Sequence, residues 1–299
     1  MTAIALSYNT EGFALLADGR ARRDDGFIVT DKAQKIFPVE GNSHLAYILA
    51  GNLLLGAEGT TQVLFDFSTA IREAFATAVP APEDRRALHD YARAVCEQVL
   101  ERFGQAQKAI PFSLTGDAEP DDDIRIIARL FLVGYWCMED QCDMTTAHCG
   151  SCGCSPAWIN ARFFDQRDDV LRYSLESVDI NTPRALPMMY GSETVAALFA
   201  NHDPRVAKYC APEFSPLRAE RPASSLHREG KLLETVLAAV WGTGGRQTAN
   251  SMSISNGYIE ACCDPEIAQL DPEHCAGIGG AIQIATITPG QGFVWRQKA

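Results

Sequence analysis

The chain predicts an α+β protein: antiparallel sheet layers with paired helices outside them. Three observations predict it. The chain begins at once on a strand-like alternation, its elements run strands, two helices, strands, helices, strands, and it closes on a hairpin of two apolar strands. A regular βαβα alternation, the mark of a doubly wound parallel sheet, is not present.

At the start, Ile4, Leu6 and Tyr8 alternate with Ala3, Ala5 and Ser7, a period of two that reads as a strand. Asn9 to Gly12 is turn chemistry and Phe13 to Ala17 the returning strand. If Tyr8 and Phe13 flank the turn, antiparallel pairing sets Asp18 opposite Ala3 and Thr2 opposite Gly19. Two short strands follow within Phe27 to Val39, around a turn at Thr30 to Lys32, and His44 to Asn52 is a buried strand. The spacing of Thr60 to Val79 predicts a helix with Thr60 or Thr61 as N-cap, and Pro82 to Phe103 a second amphipathic helix.

An acidic loop, Ser113 to Asp123, precedes strands at Ile124–Trp136, Ala157–Phe164 and Val170–Ser177. Ser192 caps a third helix with Glu193 close behind. Asp203 to Pro222 reads as a loop, Glu229 to Gly242 as a fourth helix, and Ile278 to Arg296 as the closing hairpin.

Composition narrows the class. An apolar share of 46% and a charged share of 21% suit a globular protein. A net charge of −12 argues against a nucleic-acid partner. The start lacks a basic region and its apolar run is broken at Asn9 to Glu11, so no secretory signal is read and a cytoplasmic location is expected. The apolar run Ile126 to Trp136 is too short to span a bilayer and contains Arg129, so no membrane partner is expected.

The segments "TAIAL", "GFALLADGRA", "DKAQKIF" and "AYILAGN", in that order, resemble the start of proteasome β-subunits and bacterial proteasome-type peptidases, which are N-terminal-nucleophile hydrolases. The resemblance covers residues 1–52 and recurs at "FLVGYW", "MMYGSETVAALF" and "GIGGAIQIATIT". It implies a four-layer αββα sandwich, two antiparallel sheets flanked by helices, as a single domain over residues 1–299. Insertions are expected at about 80–123, 137–155 (Cys-rich) and 203–227.

Carried over by position, the resemblance makes Thr2 the nucleophile once Met1 is removed. Asp18 is the supporting carboxylate and Lys35 the lysine, with one extra residue in the loop before it. Gapless counting reaches Gln34, and Lys32 is a weaker candidate. Gly51 supplies the oxyanion N–H, and Ser192 the supporting serine. Where active β-subunits carry a serine before paired glycines, this chain has Ile278 before Gly279–Gly280. The supporting aspartate falls near Cys275, with Asp271 the nearest alternative.

These residue types suit amide cleavage. A threonine hydroxyl needs a base to take its proton, and a free N-terminal amine, with a pKa of about 7.7–8.0, can do so. A lysine ammonium favours the ionised hydroxyl, and an aspartate keeps the lysine charged and placed. An N–H aimed at the oxyanion adds about 3 kcal/mol. Catalysis of this kind requires no cofactor. The resemblance further implies a peptide or amide substrate, a homo-oligomer and an ATPase partner. A small-molecule amidohydrolase of the same fold and a catalytically silent assembly subunit are the alternative readings.

Cys137, Cys142, Cys149, Cys152 and Cys154 crowd one stretch with His148. Cys149 and Cys152 have metal-ligand spacing, and Cys142 and Cys154 complete four thiolates for a structural zinc, with Cys137 as substitute for Cys142. A loop of reduced thiols is the other reading. Cys262, Cys263 and Cys275 read as core packing. "GTGGRQT" and "GIGG" lack the features of a phosphate loop. His44, His89, His202, His227 and His274 receive no role.

Overall fold

The computed structural model describes residues 2–9, 11–22, 27–56, 62–78, 88–110, 112–114, 117–118, 124–136, 155–180, 187–201, 203–209 and 246–298. Its strands are β1 (Ile4–Asn9), β2 (Gly12–Ala17), β3 (Ala21–Arg22), β4 (Ile28–Thr30), β5 (Ile36–Val39), β6 (Asn42–Gly51), β7 (Leu54–Gly56) and β8 (Val63–Asp66). These are followed by β9 (Asp117–Ala118), β10 (Arg125–Trp136), β11 (Ser155–Asp165), β12 (Arg172–Ser177), β13 (Met188–Tyr190), β14 (Gln283–Thr288) and β15 (Gly292–Gln297). The helices are α1 (Phe67–Thr77), α2 (Leu88–Ala109), α3 (Glu193–Ala200), α4 (Arg246–Cys263), α5 (Pro265–Ala268) and α6 (Pro272–Cys275). Every pairing within the two larger sheets whose register is given is antiparallel, in keeping with the α+β class.

The chain divides into two compact units, one of residues 1–36, 181–288 and 294–299, the other of residues 37–180 and 289–293. The first carries the sheet β13-β1-β2-β14-β15. Alternation places Ala3, Ala5, Ala14 and Leu16 on one face, where Val195 and Phe199 of α3 and Ile254, Tyr258 and Ile259 of α4 cover them. Small side chains in the strands and large ones in the helices fill this layer.

The second unit carries the order β12-β11-β10-β6-β5, with β9 also paired to β10. Leu45, Tyr47, Leu49, Leu130, Leu132, Ile159 and Phe163 pack with Ile71 and Phe75 of α1 and with Val95, Val99 and Phe103 of α2. The last three recur at helical spacing, and that stripe buries α2. Gly51 ends β6 with φ +99°, and a Cβ there would stand 2.9 Å from Ala128 Cα on the paired strand.

Several boundaries differ from the sequence reading. The helix expected from Thr60 begins at Phe67, because Val63–Asp66 pairs with Leu54–Gly56 as a strand. Its N-cap is therefore Asp66, whose carboxylate accepts from Thr69 N (3.3 Å) and Thr69 Oγ1 (2.7 Å). Asp66→Ala should cost about 1 kcal/mol of stability, read as a lower urea midpoint at unchanged slope. The second helix runs on past Phe103 to Ala109. Within the stretch read as a loop after Asp203, Pro204–Tyr209 forms a 3-10 turn.

The helix α4 had no counterpart in the sequence reading. Its sequence is polar and weakly amphipathic, and it carries Gly257, a residue that disfavours helices. Tyr209 explains that glycine, since a Cβ there would collide with the Tyr209 backbone. The helix expected over Glu229–Gly242 lies outside the described residues. Among the described residues, no helix is long and apolar enough to cross a membrane.

Candidate active site

The β1–β2 hairpin takes the register that its alternation predicts, from Ile4 opposite Ala17 to Asn9 opposite Gly12. One step further, Asp18 N–H donates to Ala3 O at 3.1 Å, so Asp18 does stand opposite Ala3. On the other side of β1, Ile4 pairs with Tyr190. The same antiparallel count brings Gly191 beside Ala3 and Ser192 beside Thr2. Gly191 has φ +132°, and a Cβ there would lie 3.0 Å from Thr2 O and 3.1 Å from the Tyr258 hydroxyl. Only a glycine lets this strand end approach so closely. Thr2 is thus framed by Asp18–Gly19 on one flank and Gly191–Ser192 on the other, and is 5% exposed.

Asp18 is fully buried, and both its oxygens are occupied. Oδ1 accepts from Ala3 N (2.9 Å) and Lys35 Nζ (2.7 Å). Oδ2 accepts from Gly279 N (3.0 Å) and Arg20 N (3.2 Å). Three backbone N–H groups and one ammonium therefore replace the water this carboxylate has lost, as a buried charge requires. Lys35 is 3% exposed, and burial lowers its pKa below the usual lysine value, against the pull of Asp18.

The position of Lys35 is set from β14. Gln283 Oε1 accepts from Lys35 N (2.9 Å), and its Nε2 donates to Ala33 O (2.6 Å). Arg20 joins the same frame through Asp31 (2.7 Å) and Ile278 O (3.2 Å). Neither Gln283 nor Arg20 stood out in the sequence. Nothing about their local pattern distinguishes them, because their partners are far along the chain.

On the second flank, Ser192 accepts from Val195 N–H (3.1 Å), which caps α3 as expected, and its own hydroxyl donates to Asp271 Oδ2 at 2.6 Å. Of the two alternatives for the supporting aspartate, Asp271 is the one that the Ser192 hydroxyl meets. The other carboxylate oxygen meets His274 Nδ1 at 2.6 Å, a contact satisfied by an Nδ1–H donor. His274 therefore has a partner that its sequence context did not reveal. The i,i+3 spacing of Asp271 and His274 across the short helix α6 was the available signal. Tyr258 closes the group: its hydroxyl accepts from Ser192 N at 3.0 Å and donates to Ser192 O at 3.3 Å.

Burial of Asp271 favours its neutral form, but the hydrogen bonds from Ser192 and His274 outweigh it and hold the pKa below the ordinary 3.8. A lowered carboxylate pKa gives stability that is complete above 3.8 and lost as pH falls through the folded value. Asp271→Asn should cost about 1–3 kcal/mol at neutral pH and flatten the acid side of the stability profile. Urea unfolding of both proteins between pH 7 and the acid limit checks this; an unchanged acid limb would count against it.

Gly51 belongs to the second unit. Cys142, Cys149, Cys152 and Cys154 lie outside the described residues, as do Cys137 and Met1. Among the described residues, no group of three or more His, Cys, Asp or Glu side chains is placed to hold a metal ion.

No family model matches the chain, and no curated protein matches it. A solved structure, the Gly-1 mutant of Anbu from Hyphomicrobium sp. strain MC1, is similar over 98% of this chain and 86% of that chain, at 11% identity and a TM-score of 0.43. The chemistry of the site rests on its own residues.

Proposed function

We propose that this chain is a threonine hydrolase of proteasome type, cleaving peptide or other amide bonds through Thr2 after removal of Met1. The observation that carries this reading is the saturated Asp18 carboxylate, tied at once to the Ala3 N–H beside Thr2 and to the buried Lys35 ammonium. A structural turn aspartate needs no buried lysine, since its backbone N–H partners alone would satisfy it. A cation held in this low-dielectric place lowers the cost of ionising a nearby hydroxyl, which is what a threonine nucleophile requires.

In the proposed reaction, the Thr2 hydroxyl oxygen attacks the amide carbonyl while the freed Thr2 amine takes its proton. The leaving amine departs with a proton, and an ester on Thr2 forms. Water then attacks that ester, the acid product leaves, and the hydroxyl is restored. Asp18 orients Lys35 and anchors the strand that presents Thr2. Ser192, fixed between Asp271 and the α3 terminus, supports the opposite flank, and Gly51 keeps the oxyanion role that the resemblance implies. The four-layer αββα arrangement as a single domain, a homo-oligomer, an ATPase partner, a cytoplasmic location and a zinc bound by the cysteines at 142, 149, 152 and 154 belong to the same proposal.

The test is the intact mass of the purified protein before and after treatment with a broad threonine-directed electrophile. Loss of Met1 followed by one adduct mapped to Thr2 is expected. Quantitative retention of Met1, or no adduct on Thr2, would overturn the reading in favour of a silent assembly subunit. Cleavage of simple amides but not of unfolded protein would instead select a small-molecule amidohydrolase.

A further inference from the structure

The segment that carries Lys35 belongs to no strand. Residues 31–35 lie between β4 and β5, so their backbone polar groups need partners other than a ladder. Ala33 N–H donates to Gly19 O at 2.8 Å, and Asp31 O accepts from Ala281 N at 2.9 Å. Lys35 N–H and Ala33 C=O are both met by one side chain, the carboxamide of Gln283, at 2.9 and 2.6 Å. Its Oε1 also accepts from Ile36 N at 3.4 Å. Gln283 is fully buried. A carboxamide carries a donor and an acceptor in one plane, so it takes the place of a neighbouring strand's peptide unit.

Gln283 opens β14, where it pairs with Ala17, the residue before Asp18. Four residues earlier, Gly279 N–H donates to Asp18 Oδ2. The entrance to β14 therefore holds the carboxylate through Gly279 and the backbone of its lysine through Gln283. We propose that Gln283 is a positioning residue for the Thr2 reaction: by fixing the Lys35 backbone, it decides where the ammonium stands against Asp18. This rests on the reading of Thr2 as the nucleophile.

A methionine would fill a similar volume without the desolvation that a buried amide costs, so packing alone does not call for this polar group. Gln283→Met removes both bonds and leaves Lys35 N and Ala33 O to find other partners. The flexible stem of Lys35 still lets its ammonium reach Asp18, but from a displaced backbone. The loss then falls on the rate, because a misplacement of about 1 Å can cost about a hundredfold.

The test is a double-mutant cycle on the full chain: wild type, Gln283→Met, Lys35→Met and the pair together. The rate of Thr2 labelling is followed against the concentration of a threonine-directed electrophile. Gln283→Met should lower the saturating rate about 10- to 100-fold and leave the half-saturating concentration unchanged. The double variant should be no slower than Lys35→Met, because both changes act through one ammonium. An unchanged rate in Gln283→Met, or losses that multiply in full in the double variant, would overturn the proposal. If Gln283→Met does not fold, Gln283→Asn, whose amide is one methylene short of the segment, replaces it in the same cycle. Hydrogen exchange of the wild type reads the hold directly: a protected Lys35 amide is expected, and exchange at the rate of an open chain would overturn the proposal. No label on wild-type Thr2 overturns the hydrolase reading and this proposal with it, whereas a labelled wild type with a failed cycle overturns this proposal alone.

Discussion

Thr2→Ala should abolish electrophile labelling and lower amide hydrolysis by roughly a thousandfold or more, while the urea midpoint moves little. The rate effect is large because no other side chain can supply the attacking oxygen in the proposed reaction. The stability effect is small because the substitution removes only a hydroxyl and a methyl from a position at the strand end. Thr2→Ser keeps the hydroxyl and should retain a measurable part of the activity. If hydrolysis persists in Thr2→Ala at the wild-type rate, the activity belongs to another residue. If the variant unfolds, Thr2 is a structural residue first.

The second large effect concerns the buried pair. Asp18→Ala strands the Lys35 ammonium at 3% exposure and leaves Ala3 N, Gly279 N and Arg20 N without their acceptor. Breaking a buried ion pair from one side costs about 3–5 kcal/mol, and each orphaned N–H adds to that. Lys35→Met should cost less, since the carboxylate keeps three backbone donors and the thioether fills much of the same volume. Urea unfolding of both variants gives the order directly. A larger loss for Lys35→Met would mean that the lysine, and not the backbone frame, carries the charge of Asp18. Both variants should lower the labelling rate of Thr2, because both remove the cation from its setting.

These expectations rest on different layers of the molecule. The alternation of Ile4, Leu6 and Tyr8 and the turn at Asn9 to Gly12 contain the hairpin register, so Asp18 opposite Ala3 could be read without coordinates. The reason is that strand pairing across a short turn depends on local geometry alone. Ser192 as the α3 cap was legible for the same reason, its acceptor role lying within one turn. The long strands β6 and β10 announced themselves through largely apolar runs, whereas β11 alternates around Asn160 and Arg162. The start of α1 did not: strand and helix patterns overlap at Val63 to Asp66, and a pairing partner decided between them.

By itself, then, the sequence determined the α+β class and the register of the first hairpin, because these follow from periodicity and short-range turn chemistry, whereas the choice of Thr2 and Asp18 as candidates came from the family resemblance. Tertiary structure decided what each charge meets. Lys35 reaches Asp18, Gln283 holds the Lys35 loop, Gly279 donates to Asp18, and Ser192 finds Asp271 across the fold. Such partners are separated by many residues, and no local periodicity records them. They exist only where folding has removed water and each buried polar atom must find another to replace it.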